Sequence, residues 1–303
     1  MNNNSIVVKI EALKKAKSAV ILAHNYQLGE IQDIADFVGD SLELSQKAAA
    51  TGAKLIVFCG VHFMAETAAI IAPGSKVVLP DPHAGCPMAD MITADGLRSM
   101  KEQLPGRPVV CYVNSTAEVK AESDICCTSA NAVKVVESLP DAEVIFVPDQ
   151  FLGYYVQQQT GKRIHFWPGY CPTHARILPQ HILALKAEHP NAMAMVHPEC
   201  RPEVAAVADA VLSTGGMIRY AKQPEFNEFV VGTEMGIIHR LRKENPGKKF
   251  YPVSEQAVCP NMKLITLDKV LYSLETETHE VKVPEEVAYK AKRAIKRMLE
   301  IKS

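Results

Sequence analysis

The chain has 303 residues, 48% of them apolar and 22% charged, with a formal net charge of −1. That length and composition allow a sizeable core divided over two or three domains. The neutral balance and the lack of a basic stripe argue against nucleic acid or anionic lipid as a partner.

The first segment, MNNNSIVVKIEALKKAK, reads as the polar start of an amphipathic helix. It lacks the apolar core and cleavage site of a secretory signal, and no apolar run approaches a membrane span, so a cytoplasmic protein is expected. Eight cysteines without close-set framework spacing point to thiols or metal ligands rather than a disulfide scaffold.

Next comes SAVILAHNY, an apolar strand pattern ending in His24, Asn25 and Tyr26, and then GDSLELSQKAA, a helical pattern opened by Ser41. A second strand, KLIVFCG, ends in Cys59, and VVLPDPHAGCP carries a third strand into the dipeptide Cys86-Pro87. The grammar then recurs. RPVVCYVNS brings Tyr112 and Asn114 to a strand end, TSANAVKVVES opens with Ser129, AEVIFVP is the next strand, and IHFWPGYCP ends in Cys171-Pro172. A third round runs through NAMAMVHPE with His197 and Glu199, LSTGGMIRYA with Ser213 and Thr214, NEFVVGT, and KFYPVSEQAVCP ending in Cys259-Pro260.

The spacing is regular. The Cys-Pro dipeptides lie 85 and 88 residues apart, and His24, Tyr112 and His197 lie 88 and 85 apart. A fixed period of this kind marks an internal repeat, here of strand, helix, strand, helix, strand. The expected fold is α/β: three similar three-layer αβα domains with short parallel sheets around a pseudo-threefold axis. The expected boundaries are 1–86 plus 260–303, 87–172 and 173–259. The C-terminal segment should form a short helix, a link, and an amphipathic helix from near Pro284 that packs back on the first unit. Its basic run, KAKRAIKRMLEI, reads as a solvated face.

Cys59 and Cys111 end strand patterns and read as small buried hydrophobes. Cys126 and Cys127 precede Ser129 where a thiolate can be stabilised, and Cys200 has no counterpart in the other repeats. The three Cys-Pro cysteines differ, since proline stiffens each loop and a threefold arrangement makes them converge. Three thiolates without a fourth suit a [4Fe-4S] cluster with one open iron, or a Cys₃ zinc site.

In parallel α/β units, ligands bind beyond the carboxyl ends of the strands, where the polar residues named above sit. Helix starts bearing Ser41, Ser129 and Thr214 would favour a small ligand with several negative groups. Each hydroxyl is also an ordinary capping residue.

The segments AHNYQLGEIQDIADFVGDSLELSQKAA, VCYVNSTAEVKAESDICCTSANA, FWPGYCPTHARI, MVHPECRPEV and VCPNMKLITL together resemble the quinolinate synthase family over nearly the whole chain. The resemblance implies an enzyme of NAD biosynthesis. Such an enzyme condenses iminoaspartate with dihydroxyacetone phosphate and releases phosphate and water as quinolinate forms. It implies a [4Fe-4S] cluster on Cys86, Cys171 and Cys259, with one iron open to substrate. It places His24, Ser41, Tyr112, Asn114, Ser129, His197, Glu199, Ser213 and Thr214 at the substrate. Catalytic groups would be drawn from Glu199, His197, Tyr26, His24 and His174, with Glu199 as general base. Some members carry a CxxCxxC run at the third ligand, whereas VCPNMK here holds Cys259 alone, so thiol–disulfide regulation is not expected there. Transient contact with an aspartate-oxidising enzyme is a further expectation, since iminoaspartate is unstable in water. A non-catalytic iron–sulfur regulator and a zinc-stabilised metabolite-binding protein are the alternatives from other classes.

Overall fold

The computed structural model describes residues 3–301; residues 1, 2, 302 and 303, the ends of the expected 1–86 and 260–303 segments, lie outside the described residues. Three parallel four-stranded sheets follow one another along the chain. The first contains β1 (Ala19–His24), β2 (Phe37–Gly39), β3 (Leu55–Cys59) and β4 (Lys76–Val78) in the order β2-β1-β3-β4. The second contains β5 (Val109–Tyr112), β6 (Ile125–Cys127), β7 (Glu143–Val147) and β8 (Arg163–Phe166) in the order β6-β5-β7-β8. The third contains β9 (Met193–Val196), β10 (Ala210–Val211), β11 (Glu228–Gly232) and β12 (Lys249–Pro252) in the order β10-β9-β11-β12. All are flanked by helices, which is why strands such as LIVFC are apolar without alternation: both faces are covered.

The sequence grammar had one strand too few per unit. β2, β6 and β10 add a short edge beside the first strand of each sheet, pairing His24 with Gly39, Tyr112 with Cys127 and Val196 with Val211. Runs of two or three residues are too short to show a period. A repeated aspartate nonetheless marks each one. Asp36 accepts a hydrogen bond from Ile21 N (2.8 Å), Asp124 from Val109 N (2.8 Å) and Asp209 from Ala194 N (2.7 Å). Each carboxylate ties the turn into the short strand to an otherwise unpaired N–H of its neighbour.

The helices Asn3–Lys17 and Leu267–Thr276 pack on each other and on the first sheet. The last helix, Glu285–Glu300, buries Ala291, Ala294, Ile295 and Met298. It lies mainly on β6 and the Ala117–Ala121 helix of the second unit, with contact to His62–Ile71 of the first. The helix expected on the first unit therefore bridges two, because an apolar stripe specifies that a helix packs but not on which neighbour. Arg293, Lys296 and Arg297 face outward as a solvated basic surface. Among the described residues no helix is long and apolar enough to cross a membrane.

Candidate active site

The strand ends of all three units open on one cavity. His24, Tyr26, Ser41 and Cys86 come from the first unit, Tyr112, Asn114, Ser129 and Cys171 from the second, and His174, His197, Glu199, Thr214 and Cys259 from the third. Of the residues expected at the substrate, Ser213 alone is not in the cavity wall. It caps the Thr214–Tyr220 helix by accepting from Gly216 N (3.1 Å) and faces Asp40 Oδ2 at 3.4 Å.

The two strand-end histidines are oriented in the same way. His24 Nδ1 accepts the N–H of Tyr26 (3.2 Å), and His197 Nδ1 accepts the N–H of Glu199 (3.3 Å). Burial lowers both imidazoles to about 3, so both are neutral near pH 7. With Nδ1 an acceptor, the ring proton must sit on Nε2. His197 Nε2 meets Ser129 Oγ at 3.1 Å, leaving the serine hydrogen for another acceptor. His24 Nε2 has no hydrogen-bond partner among the described residues and is available as a donor to a ligand.

Glu199 is the hub of the polar network. Its Oε1 accepts from Tyr112 Oη (2.6 Å) and Asn114 Nδ2 (3.2 Å), and its Oε2 lies 2.7 Å from His174 Nδ1. Burial opposes ionisation, but the His174 ring against Oε2 and the Tyr112 hydroxyl on Oε1 outweigh it and hold this carboxyl below the ordinary range. From His174 Nε2 the network continues to Thr233 Oγ1 (2.8 Å) and from there to Tyr26 Oη (2.6 Å). Burial, then the Glu199 charge, raises the phenols of Tyr26 and Tyr112 well above their ordinary value, so both remain proton donors.

The three Cys-Pro cysteines occupy equivalent turns. Each precedes a short 3₁₀ turn, Ala89–Met91, His174–Arg176 and Met262–Leu264. Backbone N–H groups of that turn face each sulfur: Ala89 and Met88 at Cys86, His174 at Cys171, Met262 and Asn261 at Cys259. Burial pushes the Cys86 thiol up to about 12, and it raises Cys171 and Cys259 as well. By exposure these three are half-buried; three half-buried thiols sharing one cavity ionise together only around a cation. Amide N–H groups directed at sulfur are the surroundings in which iron–sulfur clusters are held and tuned. The donor set fits such a cluster. Cys171, His174 and Glu199 also place one ligand atom each within 4.8 Å of one another. All eight cysteines are free; Cys59, Cys111, Cys126, Cys127 and Cys200 are buried, and Cys126 and Cys127 belong to β6 rather than to a helix start.

The hydroxyl residues are less uniform than their spacing implied. Ser41 and Thr214 begin the helices Ser41–Ala50 and Thr214–Tyr220, but Ser129 lies three residues before Ala132–Ser138, in the turn that Asn131 closes onto Thr128 N (2.8 Å). Asp40 and Glu234 also line the cavity, and Thr233 joins the network behind it, although none of the three stands out in the sequence. Glu234 is fully buried, pairs with Lys263 Nζ (2.9 Å) and accepts Cys259 N (3.1 Å), so it anchors a cysteine turn. The available signal was position: Thr233 and Glu234 follow β11 as Pro148 and Asp149 follow β7.

A family model described as quinolinate synthetase A protein matches residues 8–300. A quinolinate synthase of Dehalococcoides mccartyi is 65% identical over 293 residues, covering 97% of each chain. One of Desulforudis audaxviator is 55% identical over 298 residues, covering 98% of each. One of Methanosarcina barkeri is 55% identical over 302 residues, covering 100% of this chain and 99% of the relative.

Proposed function

The chain belongs to the quinolinate synthase family, and from that premise we propose that its cavity condenses iminoaspartate with dihydroxyacetone phosphate to give quinolinate for NAD biosynthesis. The observation that carries this reading is the meeting of one Cys-Pro cysteine from each unit with a buried, hydrogen-bonded Glu199 in a single cavity.

In this reading Cys86, Cys171 and Cys259 would hold a [4Fe-4S] cluster with one iron open to substrate. When bound, the cluster supplies a Lewis acid that helps a substrate oxygen depart as water. Proton traffic falls to the chain's own groups. Glu199, kept ionised by its partners, takes a proton from a substrate carbon. His174, 2.7 Å from Glu199, carries protons between Glu199 and the Thr233–Tyr26 pair. The neutral Nε2–H of His24, the Ser129 hydroxyl that His197 Nε2 orients, and Asn114, Ser41 and Thr214 hold the carboxylates and the phosphate. The N-terminus of the Ser41–Ala50 helix is already capped by the Asp40 carboxylate, which accepts from Leu42 N and Glu43 N, so Ser41 would contribute through its hydroxyl. Eight free cysteines suit a reducing, cytoplasmic setting. Hand-over of unstable iminoaspartate from an aspartate-oxidising enzyme would show as a rate advantage of the paired enzymes over free diffusion.

The test is anaerobic purification with iron and sulfide analysis, EPR of the reduced protein with and without quinolinate, and a turnover assay. About four irons per chain, a signal that shifts with ligand, and quinolinate formation are expected. A colourless zinc protein, or a cluster indifferent to ligand without turnover, overturns the reading.

A further inference from the structure

Thr214 lines the cavity, and among the described residues its Oγ1 makes one hydrogen bond, with Asn25 Nδ2 at 2.9 Å. Asn25 is fully buried, and its Oδ1 lies 2.8 Å from Arg240 Nη1. A guanidinium has donors only, so the amide oxygen of Asn25 must face Arg240 and its NH₂ must face Thr214. Thr214 Oγ1 is thereby committed as an acceptor toward the protein. Among the described residues its own hydrogen has no acceptor, and it is left for a group in the cavity.

Arg240 is held in turn by Glu244 Oε1 (2.6 Å) and Val38 O (2.7 Å). It stands on the Ile237–Glu244 helix of the third unit and reaches into the first, and Asn25 reaches back to Thr214 in the third. The polarity of the chain of bonds is set from outside the cavity and ends inside it.

We infer that Arg240 and Asn25 are positioning residues that fix the Thr214 hydroxyl as a donor to an anionic oxygen of the substrate. The inference rests on the function proposed above. A donor set before binding needs no reorientation when the anion arrives, so the relay acts on affinity more than on the chemical step. Arg240 touches no substrate in this scheme.

The test measures dissociation constants of the cluster-loaded enzyme for dihydroxyacetone phosphate and for quinolinate, with KM and kcat alongside. Arg240→Leu should weaken at least one anion about tenfold, the scale of a hydrogen bond to a charged group, with kcat within about twofold and cluster absorbance unchanged. The anion that weakens identifies the oxygen as phosphate or carboxylate. Arg240→Lys, which keeps a donor facing Asn25, should recover most of the loss. Asn25→Asp should weaken binding even though it keeps the shape, because a carboxylate accepts from both neighbours and draws the Thr214 hydrogen away from the cavity. On a Thr214→Val background, Arg240→Leu should add nothing. Unchanged affinities in Arg240→Leu and Asn25→Asp, or a full additional loss on Thr214→Val, overturn the relay while wild-type turnover leaves the function standing. A wild-type holoenzyme that binds neither anion overturns both.

Discussion

Glu199 owes its state to its neighbours: the His174 ring and the Tyr112 hydroxyl keep a fully enclosed carboxylate ionised. Glu199→Gln keeps the shape and most of the hydrogen bonds, so cluster absorbance and quinolinate binding should persist while turnover falls by about 10²–10⁴, the usual worth of a general base; near-wild-type turnover would remove it from the mechanism. His24 and His197 lead to a pH prediction. Their folded-state values, about 3, lie below the ordinary 6.5. Below pH 6.5 the unfolded chain therefore binds protons that the folded one refuses, and stability falls as pH falls. Each histidine adds to that decline, by about 1 kcal/mol per pH unit at most in that window. Urea unfolding between pH 6.5 and 5 should show a shallower decline in His24→Asn than in the parent, and parallel slopes would refute the assignment. Most of these residues were legible because a polar residue at a strand end recurs in register. Ser213 and Thr214 were not separable in sequence, since the backbone turn decides which of two adjacent hydroxyls caps the helix and which enters the cavity. Glu234 went unread because it has no acidic counterpart in the first unit, where Val61 follows β3 at the matching place.

At the scale of elements, the short strands β2, β6 and β10 carry the lesson. Too brief to betray a period, they were still announced by Asp36, Asp124 and Asp209, spaced 88 and 85 residues apart like the strand-end residues. Asp124→Ala leaves Val109 N without its partner beside a covered sheet. A loss of about 1–3 kcal/mol in urea unfolding is expected, and Asp124→Asn, which keeps an acceptor, should lose less. Equal stability of both variants with the parent would mean that the carboxylate plays no part in holding the edge. The final helix shows the opposite limit: its apolar stripe was plain, but its seat across two units depends on surfaces hundreds of residues away in the chain.

For the whole molecule, the period of about 86 residues made the three units and their common centre readable from sequence, as repeats generally do. In the function proposed above, a cluster held by one cysteine turn from each unit would make those units interdependent. Cys171→Ser should lose the cluster's absorbance, and removal of the cluster by chelation should lower the melting temperature, since a group bound only by the folded state stabilises it by mass action; an unchanged melting point would place the cluster outside the structural framework. The repetition of the Cys-Pro turn has a geometric corollary. A cube seen down its body diagonal has threefold symmetry, with three corners of one kind related by rotation and the fourth on the axis itself. If the proposed cubane is held there, a triplicated fold would address three of its corners and have no counterpart for the one on the axis, so the open iron of that proposal would follow from a mismatch between scaffold and cubane. The strand-end residues do not share that symmetry: histidine, tyrosine and histidine stand at the three equivalent places, so a threefold scaffold presents an asymmetric lining to whatever enters its centre.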